Sequence, residues 1–225
     1  LSGVGVLGTP LLALALPPAA AAAVLLPVLL VQDAVSVWSF RREWNGWIVG
    51  WMLPGGILGI VLATVYSAFV HEDQLKLVLG LITLTFGLYR LWLERGGRIV
   101  AASNSPGWVG ALFGLVSGVT SQVAHAGGPP FQIWVTPRRL AHNTFIGTSA
   151  VFFAAMNWIK VPSYLILGTL NRQTFGAAVA MMPLAVISTL VTLRLIRKME
   201  SHRFYTVIYG LMVLLGAKLV WDGIA

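Results

Sequence analysis

From Gly107 to Val135 the chain carries no Lys, Arg, Asp or Glu, yet residues 120–130 read TSQVAHAGGPP. Gln122 and His125 there are chemically able side chains in an otherwise apolar run. A protonated His125 would donate a hydrogen bond to an oxyanion, and an unperturbed pKa of about 6.5 makes proton coupling feasible. Gln122 lies three residues earlier, on the same face if the segment is helical. Ser117, Thr120 and Ser121 extend a polar stripe. The plainer readings are a neutral interhelical histidine and hydroxyls bonded back to the preceding turn.

Gly127-Gly128 lets the backbone turn or another helix approach, and Pro129-Pro130 cannot continue the hydrogen-bond ladder. In hydrocarbon such an interruption is tolerated only beside protein or a wet cavity. A helix restarting near Pro129 would present free amides at the positive end of its dipole, which attracts anions. A similar order of small residues, Gly and Pro occurs in SGVGVLGTPLLAL, with Gly5, Gly8 and Pro10, so a second break is expected there. The alternative is that Gly and Pro kink helices for close packing. The expected substrate-binding set is Thr120, Ser121, Gln122, His125, Gly127, Gly128, Asn157, Gly5 and Gly8.

Three other polar residues need a reason, because a charge at the bilayer centre costs about 2.5–3.5 kcal/mol on insertion scales. Asp33 falls well inside one apolar run and Asn157 at the comparable place, 124 residues on, in another. Asp33 is read as a proton carrier or counter-ion, or as one side of a packing salt bridge. Lys160 either snorkels to the interface or attracts the substrate to its vestibule. Arg138 and Arg139 follow the broken segment, as an anion-concentrating loop or as an ordinary topology signal.

The elements that must carry these residues are transmembrane helices. The 225 residues are 57% hydrophobic and 10% charged, too little charge to cover a soluble domain. Their mean hydropathy is +0.83. Apolar runs at 1–16, 19–40, 47–70, 75–93, 108–135, 144–167, 174–193 and 204–224 make eight candidate spans, the first short and the fifth long. The net charge of +8 sits between the runs, as loops meeting anionic headgroups rather than nucleic acid. Tryptophans 38, 44, 47, 92, 108 and 221 lie near span ends, as an aromatic belt. Cysteine is absent, which excludes thiolate chemistry. The first run lacks a basic n-region, so the chain is expected to start inside its first helix.

Matching Pro10 to Pro130 aligns Gly8 with Gly128, and an offset of 129 brings Pro183, Gly216 and Trp221 onto Pro54, Gly87 and Trp92. Two related units are therefore expected, 1–95 and 107–225, joined by the linker 96–106. Four crossings per unit make the copies parallel; a re-entrant hairpin in either makes them inverted. Arg41, Arg42, Arg95, Arg98 and Arg172 then fall on one side, with Lys76, Arg138, Arg139, Arg194, Arg197, Lys198 and Arg203 on the other, which leaves orientation open.

The stretch SGVTSQVAHAGGPPFQIWVTPRRLAHNTFIGTSAVFFAAMNWIKVPSYLILG resembles the second-half signature of the sulfite exporter TauE/SafE family. SGVGVLGTPLLALALPP is similar to its weaker first-half signature, and the resemblance covers essentially the whole chain. The chain departs from the pattern by starting late in the first span and by Val6-Leu7 where many members have further glycines. The resemblance implies a multi-pass inner-membrane permease moving small sulfur oxyanions or organosulfonates, such as sulfite or sulfoacetate, typically outward.

The expected protein is thus all-α, a helical bundle of about eight segments. It binds a small anion between its halves and works by alternating access, in contact with the lipid bilayer and without nucleic acid or cofactor; a homodimer is an open option. No Walker motif, dinucleotide fingerprint or HExxH is present, so ATP-driven transport by this chain is not expected. The rival reading is an intramembrane enzyme or lipid-handling protein with His125 and Asp33 as acid and base.

Overall fold

The computed structural model describes residues 2–96, 105–195 and 202–224. The described residues form α1 (Ser2–Leu12), α2 (Pro18–Phe40), α3 (Gly46–Phe69), α4 (Glu72–Glu94), α5 (Gly107–Ala124), α6 (Gly128–Val135), a 3-10 turn (Thr136–Arg138), α7 (His142–Ile166), α8 (Arg172–Leu195) and α9 (His202–Ile224). Among them α2, α3, α4, α5 and α7 are long and apolar enough to cross a membrane. Trp38, Phe69, Trp158, Ile166 and Trp221 turn outward, each more than half exposed, as a lipid-facing surface requires.

Helix starts follow local chemistry. The Asn45 side chain accepts from the Ile48 amide at 3.1 Å and begins α3. Gln74 reaches back to the His71 amide at 3.2 Å, and Glu72 and Asp73 occupy the first turn of α4.

Contacts between helices fix their directions. Along α3 and α5, Trp51 meets Gly107, Met52 meets Gly114, and Gly59 meets Gly118, so the two run parallel from one face, termed proximal. Asn45 donates from its amide to Thr148 Oγ1 at 2.9 Å, which starts α7 at the same face. Helix α2 runs opposite, with Phe40 beside Gly147, Asp33 beside Asn157 and Ala22 near Tyr164. Pro18, Ser67, Leu75, Leu167 and Thr169 meet around one hollow, so the ends they belong to share the distal face. Helices α4 and α9 are antiparallel: Gly80 meets Val220, Gly87 meets Val213, and Gly223 meets Leu77.

Two helix pairs form the densest seams, and glycine makes both. Gly55 and Gly59 of α3 face Gly114 and Gly118 of α5 with backbone against backbone. Gly80 and Gly87 of α4 lie against α9 as Gly216 and Gly223 lie against α4. Lipid offers no hydrophobic drive for association, so close approach and dispersion hold such seams.

The two broken segments meet different outcomes. The run Trp108–Val135, a long candidate span for which a re-entrant hairpin is the stated alternative, is a hairpin. Ser117 Oγ donates to Gly127 O at 2.8 Å, Trp134 lies on Gly110, and Trp134 Nε1 donates to Ser105 Oγ at 2.9 Å. Helix α6 therefore returns to the proximal face where α5 began. In the first unit the chain does not break at Gly8–Pro10. Pro10 sits inside α1, where its ring gives up one ladder bond, and winding fails only at residues 13–17, before Pro17 and Pro18. Of the linker, residues 97–104 lie outside the described residues.

Candidate functional site

The hairpin tip is built from the last turn of α5. His125 ends that helix in the left-handed conformation, φ 51° and ψ 29°. Its amide bonds to Ser121 O at 3.0 Å, and the Ala126 amide to Thr120 O at 3.2 Å. This is the αL closure that usually takes glycine. A side chain held there costs of order 1–3 kcal/mol, strain of a kind that collects at functional sites.

The last carbonyls of α5 are the negative end of its dipole, and α7 adds donors to them. Lys160 Nζ donates to Ser121 O at 3.2 Å and Ser121 Oγ at 3.1 Å, and lies 2.7 Å from His125 Nδ1. Tyr164 donates its hydroxyl to Gln122 O at 2.7 Å. On the far side of the ring, His125 Nε2 lies 2.9 Å from Ala22 O of α2. A carbonyl only accepts, so Nε2 carries a hydrogen.

Lys160 is fully buried, which overturns the snorkelling reading: its ammonium caps a helix end instead of reaching the interface. One α7 turn earlier, Asn157 donates to Asp33 Oδ2 at 2.6 Å.

The start of α6 offers fewer donors than a helix N-terminus normally does. Pro129 and Pro130 have no N–H, so the unbonded amides there are those of Gly127 and Gly128. Both glycines are buried. Gly127 has no room for a side chain, because a Cβ would press on Ser117 and Phe153. Gln122, 3% exposed, has a side-chain oxygen without a hydrogen-bond partner. It lines a small, partly open hollow at the distal face, with Ala22, Ser67, Val123 and Tyr164. The O and N positions of an amide are interchangeable by rotation, so Gln122 can equally present an NH₂ to an anion in that hollow.

The structure thus gathers Ser121, Gln122, His125 and Lys160 at one tip, with Gly127 and Gly128 on the return and Asp33–Asn157 one turn away along α7. Thr120 bonds back to Val116 O at 2.9 Å, the plainer reading of a hydroxyl. Gly8 packs on Leu25, and Gly5 lies in α1 with its surroundings outside the described residues. Arg138 takes part in a clamp: its guanidinium lies over Trp134 at 4.0 Å and Trp47 at 4.9 Å and donates to Ser105 O at 2.8 Å.

Arg90 escaped the sequence reading because it hides in an apolar run. It donates to Gln132 Oε1 at 2.9 Å and Tyr209 OH at 2.6 Å, tying α4 and α9 to α6. The signal was an arginine inside a candidate span.

An all-helical membrane protein with a re-entrant hairpin and a polar, buried tip is the class these features define. The family model described as sulfite exporter TauE/SafE matches residues 1–219, and the chain belongs to that family, a family of transporters. No curated protein and no solved structure matches the chain.

Proposed function

We propose that the chain is a permease exporting a small sulfur oxyanion or organosulfonate, with the anion bound at the hairpin tip between two inverted repeats. The observation that carries this reading is the tip itself: two unbonded buried amides, an unpartnered Gln122 oxygen and a buried ammonium at one break in a membrane helix. These groups suit a small anion far better than a lipid tail. Movement of the two halves about this tip would open it alternately to each face. A monoanion leaving a cell that is negative inside gains about 2.3 kcal/mol per 100 mV, enough to favour export without another ion. The enzymatic alternative draws less support, since His125 and Asp33 are paired with other groups, His125 with Ala22 and Lys160 and Asp33 with Asn157, rather than with each other.

Purified protein in liposomes should take up labelled sulfite, and the double variant Gln122→Leu, His125→Ala should lose at least tenfold of that flux while remaining folded by circular dichroism. Unchanged flux in the double variant removes the tip from the route.

The return of α6 also orders the charges. Arg41, Arg42, Arg138 and Arg139, with Arg95, belong to helix ends and connections at the proximal face. Lys76, Arg172 and Lys218 lie towards the distal one. By the positive-inside rule the proximal face is cytoplasmic and the Gln122 hollow opens outward. The chain has no cysteine, so single cysteines report without background. On intact cells an impermeant thiol reagent should label Gln173→Cys and spare Arg139→Cys; the reverse pattern inverts the orientation.

A further inference from the structure

We infer that Arg90 is a second oxyanion site, on the proximal side of the hairpin and one helical turn of α6 from the tip; that its occupant is the transported anion rests on the permease reading above.

The first observation is a charge without a counter-charge. Arg90 is half-buried within the apolar span Glu72–Leu93, and a guanidinium stays protonated at any pH at which the protein is folded. An ionisable group inside a span calls for a partner. Among the described residues no carboxylate pairs with Arg90; the ion pairs there belong to Lys76 and Lys218. Its polar neighbours, Gln132 Oε1 at 2.9 Å and Tyr209 OH at 2.6 Å, are neutral. The guanidinium is thus left open to an anion from outside the chain.

The second observation is a count of donors. A guanidinium has five N–H bonds. Gln132 takes one from Nη1 and Tyr209 one from Nη2, which leaves three. The same contacts, with the Tyr209 ring centroid 4.8 Å from the guanidinium carbon, hold the head between α4, α6 and α9. A head tied inward on two sides is not snorkelling to the interface. A fixed guanidinium with unspent donors suits an anion that carries two or more oxygens.

Position connects Arg90 with the tip. Gln132 follows Gly128 by four residues on α6, so the two share one face, about 6 Å apart along the axis. Gly128 presents one of the unbonded amides, and Gln132 holds Arg90. Ala124 and Ala126 of the tip pack in one cluster with Phe86, one turn before Arg90 on α4, and with Tyr209. Arg90 itself stands four residues before the proximal end of α4 at Glu94. Anion donors therefore run from Gln122 at the distal hollow, through Gly127 and Gly128, to Arg90 near the proximal face. A lipid phosphate offers the same oxygens and reaches this depth from the headgroups.

Binding of labelled sulfite to the purified chain in dodecyl maltoside, which has no anionic group, tests the site. Lys160→Met disables the tip and leaves Arg90 in place. That variant should still bind sulfite, and adding Arg90→Gln should weaken the remaining binding by roughly tenfold or more. In the same background Tyr209→Phe and Gln132→Leu cut the ties but keep the charge, so binding should stay within about threefold. A loss equal to that in Arg90→Gln makes Arg90 a structural tie and overturns the proposal. Should Arg90→Gln not fold, Arg90→Lys takes its place; it keeps the charge without the fork, so a weakening of about threefold to tenfold is expected and unchanged binding overturns the site. A second arm reads lipid by mass spectrometry, on protein purified from membranes that contain phosphatidylglycerol. Phosphatidylglycerol retained by the parent and lost in Arg90→Gln, with no sulfite binding that depends on Arg90, keeps the oxyanion site and assigns it to a headgroup. If neither ligand depends on Arg90, the proposal is overturned. Absence of sulfite flux through the parent protein in liposomes defeats the permease reading and leaves the two binding arms to decide this site.

Discussion

Replacing Lys160 with methionine is expected to reduce sulfite flux by about two orders of magnitude while moving the melting temperature by only a few degrees. Methionine fills a similar volume in this fully buried position. Loss of the ammonium strands Ser121 Oγ and His125 Nδ1, at about 1–3 kcal/mol for each buried acceptor left unpaired. Against this, the cost of holding a charge out of water disappears, so the two effects largely offset in stability. They do not offset in transport. A unit charge about 6 Å from an anion, at an effective dielectric near 20, contributes about 3 kcal/mol, which is roughly a hundredfold. With Lys160 gone, Asp33 also repels the incoming anion. Adding Asp33→Asn to the methionine variant should therefore recover part of the flux, and flux measured across this double-mutant cycle checks the coupling. Full activity in the single variant would remove Lys160 from the site.

The second large effect is expected at Gly118. A Cβ there would be 3.0 Å from the Gly59 Cα and the Gly56 carbonyl carbon and closer still to the Gly56 oxygen. These are backbone atoms, which cannot rotate aside. Gly118→Val should force α3 and α5 apart, costing more than the 1–3 kcal/mol typical of overpacking between side chains. Thermal unfolding in detergent should show a clear drop, and flux should fall with it because α5 carries the tip. Gly176 of α8 is the control, since nothing lies within 4 Å of the position its Cβ would take. Gly176→Ala should be neutral or stabilising by up to about 1 kcal/mol through helix propensity. Equal melting temperatures for Gly118→Val and the parent protein would sink the seam as described.

How much of this was readable beforehand depends on whether the cause was local. The interruption at His125–Gly127 was legible because Gly and Pro act on their own backbone. Pro10 shows the limit: a similar Gly-then-Pro order sits inside a continuing helix, since a proline removes one ladder bond and need not end the winding. The turn of α6 back to its starting face was legible only as one of two options, because direction is set by Ser117 bonding Gly127 and Trp134 docking on Gly110, contacts that local propensity does not encode. Lys160 was misread for the same reason. Its position near a span end suggested an interface, whereas its partners belong to α5, 35–39 residues away in sequence. The framing that set Asp33 against Asn157 did bring out two residues that touch. The family assignment was carried by the residues around 117–130 and is shown by the match across residues 1–219.

The hairpin also bears on how the chain is made. Helices α5 and α6 begin and end at one face, so this pair cannot be threaded through the bilayer as a single stop-transfer segment. Its stem can dock on α3, which is synthesised earlier. Its tip stays incomplete until Lys160 and Tyr164 of α7 emerge from the ribosome, because they satisfy the carbonyls of Ser121 and Gln122. Until then the Gln122 carbonyl has no donor, and the Ser121 carbonyl has only the His125 amide. The tip of the hairpin is therefore completed only by a helix translated after it.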